Sequence, residues 1–540
     1  MPNVLDRAIA WFSPERGARR LAARAAAAQL AAGAQQYGGA VRGVRSRASS
    51  REGTLVNWDP RRVGEHEEPR DFFLSMRRAE SLVSEDANAV SAIDALCLNI
   101  VGGGMRPQSR PDFERLGITE EEAGAFAASA EAAWQAWCRE ADATCAGSFE
   151  DVQYEAVRSL LVMGEILHVL EWNEGDGRLF GLCLRSLHPS RLRTPSDLAS
   201  DKSIRCGVKL GAYGQPVRYY IARPEAGGFM EGLPSSHFLA LDKYRRGHLQ
   251  VLHAFRRPRP EAVRGESVLA PAMKQFRDLS TYVDYELVGA MIAASFTVFM
   301  ETMPSNDVFG NGFSGSYKSG GAAPERQEYK AVSPGSIMVG NAGDKPHLLS
   351  SNRPGSTFDS FYERMLRAVA ASTGQPYESV ARDFSKTNYS SARAALLEVW
   401  KVHRLYQDWF IRSVLSPYWE MAMEEACLRG MLELPSRAAM QWEDPSQRAL
   451  WLHASWSRPP RGHIDPVKER EADALGLQNG TDTLARICAD QGTDWEEVLH
   501  QRKREQDLCE RLGLKQNEDI QARRGLGSEE NGEDDAALQG

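Results

Sequence analysis

The side chains best suited to a binding role lie in a short segment between two predicted helices. Arg382 and Lys386 could each contact a phosphate group, and Asp383 between them would limit the strength of that contact. Tyr377 and Phe384 add apolar surface to the same segment. This combination suits a loose grip on a nucleic-acid backbone without recognition of the bases. The alternative is an ordinary connection between helices whose charges are solvated.

A nucleotide-hydrolysing site is not indicated by the sequence. The chain lacks a GxxxxGK sequence followed by Ser or Thr, which is the phosphate-binding loop that many such enzymes use. The triple glycine Gly102-Gly103-Gly104 follows a predicted helix, whereas a dinucleotide-binding fingerprint needs a strand before it and a helix after it. We therefore expect this chain not to hydrolyse ATP.

Metal-binding and nucleophilic arrangements are not indicated either. The histidines lack the spacing of an HExxH motif or of a Cys/His zinc site. Those considered are His168 and His188 in strand regions, His403 on a helix and His463 in a loop. The eight cysteines are dispersed without a CxxC pair, which is typical of free thiols buried in a reducing compartment. The sequence predicts no catalytic residue, no metal ligand and no cofactor.

The bulk composition is that of an ordinary globular protein with more than one region. A chain of 540 residues exceeds what one hydrophobic core usually supports, so two or three regions are expected. The longest uncharged apolar run, residues 287–300, is shorter than the roughly 20 residues that span a bilayer, so no membrane contact is predicted. The net charge of −8 argues against a protein that wraps tightly around nucleic acid. An acidic or mixed surface would suit a channel wall along which nucleic acid must slide.

The two ends of the chain carry opposite charge. Residues 1–62 are rich in alanine and arginine with few acids, which predicts a basic N-terminal arm. Residues 515–540 lack apolar periodicity and carry a run of Glu and Asp, which predicts a disordered acidic tail. Neither end is expected to belong to the core.

Between the ends, helical and strand patterns alternate in a mixed α+β order. Residues 69–102 and 152–163 have helical spacing, and two hairpins are predicted around turns 173–177 and 212–215. A long helix is predicted over 268–300, followed by a glycine-rich and serine-rich stretch with short strands.

The second half of the chain is predicted to be mainly helical. A capping box at Ser356-Thr357-Phe358-Asp359 starts a return helix that ends at Gly374. The next helix should run over 391–416 and be kinked or broken by Pro417. Three short helices should follow, the last opened by a capping box of Thr493 and Glu496.

This order of elements, together with several local motifs, resembles the lambda-type portal proteins of tailed bacteriophages. The motifs span about residues 37–510, and none is decisive alone. They are Tyr37-Gly38-Gly39-Ala40, Asn99-Ile100-Val101-Gly102-Gly103-Gly104-Met105, Gly207-Val208 with Gly214-Gln215-Pro216-Val217, Arg264-Gly265-Glu266-Ser267-Val268-Leu269-Ala270-Pro271, the block from Asn388 to Leu397, and Trp456 with Ile464-Asp465-Pro466-Val467-Lys468-Glu469. The acidic tail matches no element of that family.

The resemblance implies a portal fold of named regions. They are the wing at 63–265, the stem helix at 266–302, the β-rich clip at 303–355, the stem return helix at 356–373, the tunnel loop at 374–389, the kinked wing helix at 390–460 and the helical crown at 461–514. It further implies that the tunnel loop faces DNA, with Tyr377, Arg382, Phe384 and Lys386 as the candidate contacts.

The function that the resemblance implies is that of a conduit rather than an enzyme. Copies of the chain would form a homo-oligomeric ring, expected to be a dodecamer, at a capsid vertex of the virion. Double-stranded DNA would pass through it without sequence specificity, and assembly would take place in the bacterial host cytoplasm. The implied partners are the terminase large subunit, the major capsid protein and a head–tail adaptor. The alternatives are a minor head or adaptor protein without a channel, and a head-associated nuclease or protease.

Overall fold

The computed structural model describes residues 69–175, 177–224, 232–295, 299–301, 345–347, 358–385, 389–435, 438–460 and 466–513. These residues belong to the compact unit Glu67–Gly540. The predicted basic arm, the predicted acidic tail and most of the predicted clip lie outside the described residues. Helices and strands both contribute, so the predicted α+β class is confirmed.

The N-terminal part of the described chain is mainly helical. Its elements are α1 (Pro69–Glu85), α2 (Ala87–Ile100), β1 (Arg106–Ser109), α3 (Phe113–Leu116), α4 (Glu120–Cys138) and α5 (Phe149–Met163). The single helical pattern predicted over 69–102 is divided into α1 and α2 at Asp86. The Asp86 carboxylate accepts hydrogen bonds from the backbone N–H groups of Asn88 and Ala89, and therefore starts a new helix.

Antiparallel strands form the middle of the chain. They are β2 (Glu165–Trp172), β3 (Leu182–Ser186), β4 (Ile204–Arg205), β5 (Val208–Leu210), β6 (Pro216–Ala222), β7 (Phe238–Asp242), β8 (Tyr244–Arg245), β9 (His248–Leu249) and β10 (Val251–Phe255). Both predicted hairpins are confirmed, because β2 pairs with β3 and β5 pairs with β6. The two larger sheets have the strand orders β10-β2-β3 and β4-β5-β6-β7.

Helices dominate again after the strands. The elements are α6 (Met273–Ser295), β11 (Phe299–Glu301), β12 (Lys345–His347), α7 (Phe358–Ser372), α8 (Tyr377–Ala381), α9 (Tyr389–Phe410), a π-helical segment (Ile411–Leu415) and α10 (Ser416–Leu428). The helix predicted over 268–300 is shorter at both ends. It is preceded by the 3-10 turn Ala270–Ala272, which accommodates Pro271, and Phe299–Glu301 is a strand paired with Lys345–His347.

Pro417 does not break the helix that contains it, contrary to one of the two predicted outcomes. The chain stays helical from Tyr389 to Leu428 through the π-helical segment Ile411–Leu415. Pro417 lies in the first turn of α10, where its missing N–H group is tolerated. In the π-helical turn just before Pro417, backbone hydrogen bonds join residues five positions apart instead of four. The backbone N–H group that proline lacks is therefore not required for a helical hydrogen bond.

The C-terminal part completes the described chain. Its elements are α11 (Ala438–Glu443), α12 (Pro445–Trp451), β13 (Ala454–Ser457), α13 (Pro466–Gln478), α14 (Leu484–Asp490) and α15 (Trp495–Leu512). The predicted capping box at Thr493 is wrong by one residue. Asp494 is the N-cap of α15 and accepts from the backbone N–H of Glu496 at 2.7 Å. The Thr493 hydroxyl instead donates to the Cys488 carbonyl at 3.2 Å, at the end of α14.

An aromatic core joins the two halves of the sequence. Trp134 lies 4.8 Å from Trp137 on α4 and 5.6 Å from Trp419 on α10, measured between ring centroids. The indole of Trp137 donates to the Leu182 carbonyl at 3.0 Å, and that of Trp419 donates to the Leu452 carbonyl at 2.9 Å. These large rings are buried, and the two indole N–H groups have hydrogen-bond acceptors. The packing therefore fixes α10 against the N-terminal helices and β3. In the part of the chain that the structure describes, no helix is long and apolar enough to span a membrane.

Candidate functional site

The segment between α7 and α9 is only partly a loop. After α7 the chain turns at Gly374, whose φ of +72° is in the left-handed region that favours glycine. Pro376 then precedes the short helix α8, which begins at Tyr377. The predicted tunnel loop of residues 374–389 therefore contains a short helix, with Pro376 as its N-cap in an extended conformation.

Buried contacts anchor this segment to α2. Gln375 is buried, and its side-chain amide donates to the Ala92 carbonyl at 2.9 Å. Val380 on α8 is also buried and belongs to the main hydrophobic core. A buried amide that lost this acceptor would keep an unsatisfied donor, so the contact specifies one position for the segment.

The segment becomes exposed at the end of α8. Arg382 has a φ of +53°, an uncommon conformation for a residue with a Cβ. Its Nε donates to the Ser91 hydroxyl at 3.1 Å, and the side chain is exposed. The Asp383 carboxylate accepts from the backbone N–H of Ser385 at 3.0 Å, which closes a turn. Phe384, within that turn, is 62% exposed.

Tyr377 has contacts of a different kind from those of Arg382 and Phe384. It is half-buried against the main core, and the Arg367 guanidinium lies 5.3 Å from its ring centroid. These contacts suit a residue that holds α8 in place. The structure thus places Arg382 and Phe384 together at the exposed C-terminal end of the segment. Tyr377 lies at the anchored N-terminal end of α8. Lys386 lies outside the described residues.

A buried ion pair, not anticipated from the sequence, lies where the chain passes from the strands into α6. Arg264 Nε is 2.6 Å from Glu165 Oε1, and both side chains are almost fully buried. The other guanidinium N–H groups donate to the carbonyls of Leu192, Cys206 and Pro189 at 2.9, 2.8 and 3.0 Å. This arrangement uses the planar fork of arginine and its fixed donor directions.

Glu165 is held in its charged form by this environment. Burial alone would raise the pKa of Glu165, but Arg264 and His253 beside it lower the pKa to about 2. Its Oε1 also accepts from the backbone N–H of Gly265 at 2.8 Å. The motif that begins at Arg264 was noticed in the sequence, but its partner lies 99 positions earlier, so no local pattern could reveal the pair.

Two glycines allow the backbones to cross at the same junction. A Cβ on Gly265 would lie 2.1 Å from the Gly164 carbonyl oxygen. A Cβ on Gly164 would lie 2.5 Å from the backbone of Glu266, and Gly164 also has a φ of +88°. Both positions require glycine, so the end of α5 and the approach to α6 are held at a fixed distance.

The described histidines among those considered in the sequence each have a separate environment. His168 is buried, its Nδ1 lies 2.6 Å from the Tyr418 hydroxyl, and burial lowers its pKa to about 4. Burial also lowers the pKa of His403 to about 4. His188 pairs with Glu80, and His463 lies outside the described residues. Among the described residues, no group of three or more His, Cys, Asp and Glu side chains could hold a metal ion.

The cysteines of the chain are free thiols. Five are buried, at Cys97, Cys138, Cys183, Cys206 and Cys488. Cys145 is exposed, so the prediction of buried thiols holds only in part. Burial raises the pKa of the Cys97 thiol to about 12, which makes it a poor nucleophile.

Comparison with known proteins gives a consistent result. The model of the family described as "Phage portal protein, lambda family" matches residues 51–407. Portal protein B of Escherichia phage lambda is 27% identical over 463 residues, which are 82% of this chain and 85% of that protein. The portal protein of Escherichia phage N15 is 26% identical over 446 residues, 79% of this chain and 83% of that protein.

Two solved structures are also similar in fold. One is the neck of a native gene transfer agent particle computed with C12 symmetry, with 15% identity, a TM-score of 0.40 and coverage of 77% of this chain and 90% of that one. The other is the neck of an empty particle computed with C6 symmetry, with 15% identity, a TM-score of 0.42 and coverage of 79% and 94%.

Proposed function

We propose that this chain, which belongs to the lambda family of phage portal proteins, lets double-stranded DNA pass through the axial channel of a closed ring at one capsid vertex. Membership of the family makes the chain a portal protein of the virion capsid with a structural, non-enzymatic role. It also sets aside a minor head protein, a nuclease or a protease. The passage of DNA and the identity of the partners are the proposed part.

The proposed ring contains twelve copies with cyclic symmetry, assembled in the bacterial host cytoplasm. Each copy would contact its neighbours through two different surfaces, because a closed ring is built from heterologous interfaces. We assign the strand-rich region and the helices around it to the wing, α6 and α7 to the stem, the segment with α8 to the tunnel loop and α13 to α15 to the crown. The clip, at 303–355, would bind the terminase large subunit, and other surfaces would bind the major capsid protein and a head–tail adaptor.

The observation that carries the DNA-facing role is the contrast between the two ends of the tunnel segment. One end is fixed, because Gln375 and Val380 are buried against α2 and its neighbours. The other end presents Arg382 and Phe384 on the surface. A segment that is anchored at one end and carries an exposed cation and an exposed ring at the other could contact moving DNA while keeping its own position.

The contacts proposed for this segment are weak ones. A single exposed arginine contacts phosphates without selecting a base, and Asp383 next to it reduces the local positive charge. Repetition of the segment around the ring would multiply a small contact by the number of copies. We therefore narrow the DNA-facing set to Arg382, Phe384 and Lys386, with Tyr377 as an anchor.

The test is DNA retention in assembled particles. Replacing Arg382 and Lys386 with Ala should leave folding and ring assembly unchanged, since neither change removes a core residue, but reduce the DNA that filled capsids retain. Arg77→Ala is the control, because Arg77 is an exposed arginine on α1, outside the tunnel segment. Wild-type DNA content in the double variant would contradict the role of this segment while leaving the portal assignment intact.

A further inference from the structure

A cavity of about 370 Å³ lies between the helices α1 and α5 and the sheet that contains β2 and β3. Ser84 on α1 and Glu155 on α5 line it and are exposed, so the cavity can be entered from the surface between the two helices. Its walls are formed mainly by buried apolar side chains, which are Val83, Ala156, Val162, Leu167 and Leu187.

Polar side chains at the rim of this cavity are paired with other protein groups. His188, which follows β3, pairs with Glu80 on α1. The Arg158 guanidinium on α5 donates to the Asp94 carboxylate on α2 at 2.7 Å. These two contacts hold the rim in position, and the polar group at the floor of the cavity has a different environment.

His168 on β2 is the polar group at the floor. It is only 3% exposed, and its Nδ1 lies 2.6 Å from the Tyr418 hydroxyl. The two ring nitrogens point in different directions, so Nε2 faces away from Tyr418. Among the described residues Nε2 has no hydrogen-bond partner, and it is not sealed from the cavity that the ring lines. Ser186 on β3 is paired in register with His168, so its side chain lies about 5 Å away on the same face of the sheet.

The surroundings of His168 determine which ring nitrogen carries the proton. Burial raises the pKa of Tyr418 well above its ordinary value, so the phenol keeps its proton. Within the described part of the chain the Tyr418 hydroxyl has no other partner, so it donates to Nδ1, since its proton would otherwise be buried without an acceptor. Burial also lowers the pKa of His168 to about 4, which keeps the ring neutral near pH 7. A neutral ring that accepts at Nδ1 carries its proton at Nε2, and this N–H group is a donor on the cavity side.

We propose that this cavity binds a small neutral molecule with a compact apolar body and a carbonyl oxygen, which accepts a hydrogen bond from Nε2 of His168. An apolar cavity of roughly 150 Å³ holds one benzene ring, so the larger volume here suits a body of about two fused rings. Apolar walls with one well-placed polar group are typical of sites for small molecules. A charged molecule would lose its hydration at the floor without gaining a counter-charge there. The site lies within one copy of the chain and does not depend on the proposed ring.

The experiment measures binding of two matched molecules to the full chain by saturation-transfer NMR. 1-Indanone has two fused rings and a carbonyl oxygen, and indane has the same rings without the oxygen. The ratio of their Kd values, indane over 1-indanone, is compared between the unaltered chain and His168→Phe, which keeps a flat ring but lacks the donor. The ratio should fall about fivefold to tenfold in the variant, because only the unaltered chain can bond the carbonyl oxygen. His168→Leu is the second variant, for the case that His168→Phe does not fold.

A second pair of variants tests where 1-indanone binds. Ala156→Met extends a side chain into the cavity and should weaken binding at least about tenfold, because it fills the volume that the rings need. Ala128→Met is the control, at an exposed position of α4 that does not line the cavity. Hydrogen exchange in the unaltered chain gives the location independently, since bound 1-indanone should slow exchange in α1, α5 and β2.

The outcomes decide the inference in either direction. A lower ratio without the His168 donor, together with weaker binding in Ala156→Met and unchanged binding in Ala128→Met, would support it. An unchanged ratio, full binding in Ala156→Met, or no saturable binding of 1-indanone to the unaltered chain would each overturn it. The proposed passage of DNA is not affected by any of these results.

Discussion

Arg264 shows how much a single buried side chain determines in this fold. Its guanidinium contacts Glu165 and three backbone carbonyls from segments that are far apart in sequence. The Phe72 ring also lies 4.7 Å from its guanidinium carbon. A charge removed from water in this way contributes little net energy while its partners are present, but its removal leaves them unpaired. Removal of Arg264 should therefore cost more free energy than the intact pair contributes.

The first prediction concerns this ion pair. Arg264→Leu should lower the free energy of unfolding by about 3 to 5 kcal/mol, because Glu165 would remain buried without its main counter-charge. Denaturant unfolding of the purified chain measures the change. Arg77→Leu, at an exposed position on α1, should change the free energy by less than about 0.5 kcal/mol. Equal effects of the two substitutions would contradict the account of the junction.

The second prediction concerns the buried imidazole of His168. Its pKa is lowered to about 4 in the folded chain from an ordinary value of 6.5, so the unfolded chain binds more protons between these values. Stability should therefore be fully present above pH 6.5 and be lost as the pH falls toward 4, by roughly 3 kcal/mol at most. His168→Gln should weaken this dependence, whereas His237→Gln, at an exposed position, should retain it. An unchanged slope in the His168 variant would refute the assignment.

Elements with a strong local signal were predictable from the sequence. Apolar runs on either side of a short turn identified the hairpin of β2 and β3, and apolar spacing of three and four identified α7. The helix break at Asp86 was missed because apolar spacing continues across it. The short helix α8 was missed because one helical turn has too few residues to show a period.

The contacts of the candidate site were harder to predict than its position. The types of Arg382 and Phe384 could be recognised from the sequence, and the structure places both on the surface. The anchoring bonds of Gln375 and Arg382 reach Ala92 and Ser91, nearly three hundred positions earlier. Spacing rules describe neighbours within a helix or a hairpin, so contacts between such distant positions require the folded structure.

The third prediction concerns the contact between α4 and the start of α15. Glu131 on α4 accepts from the Ser109 backbone N–H at 2.8 Å. Burial, assisted by the negative charges of Asp494 and Glu496, raises the pKa of Glu131 to about 7. The folded state therefore binds the proton more tightly than the unfolded state, whose ordinary value is 4.5. Stability at this contact should rise as the pH falls from 7 toward 4.5 and be lowest above pH 7.

Hydrogen exchange measures this contact locally. After correction for intrinsic rates, opening of β1 and of the first turn of α15 should be greater at pH 8 than at pH 6, by no more than about tenfold per pH unit for one proton. Glu131→Gln should remove the difference, since the amide oxygen can still accept from Ser109 but does not ionise. Glu121→Gln, at an exposed position in the first turn of the same helix, is the control. A difference that persists in Glu131→Gln would mean that another group causes it.

At the scale of the whole molecule, the acidic net charge of the chain is consistent with the weak DNA contact proposed for the tunnel segment. A net charge of −8 disfavours a tight general attachment to DNA, whereas in the proposed function the exposed Arg382 would provide a limited contact at one point. The bonds of Gln375 to Ala92 and of Arg382 to Ser91 attach this segment to α2. In the proposed function, each copy would carry one weakly binding segment.

The most direct test of the central claim is electron cryomicroscopy of the purified full-length chain. The account predicts closed rings of cyclic symmetry with an axial channel wide enough for double-stranded DNA. It also predicts that the segment between α7 and α9 lines the narrowest part of that channel. Monomers, open filaments or rings without a continuous channel, at concentrations where related portal proteins assemble, would contradict it.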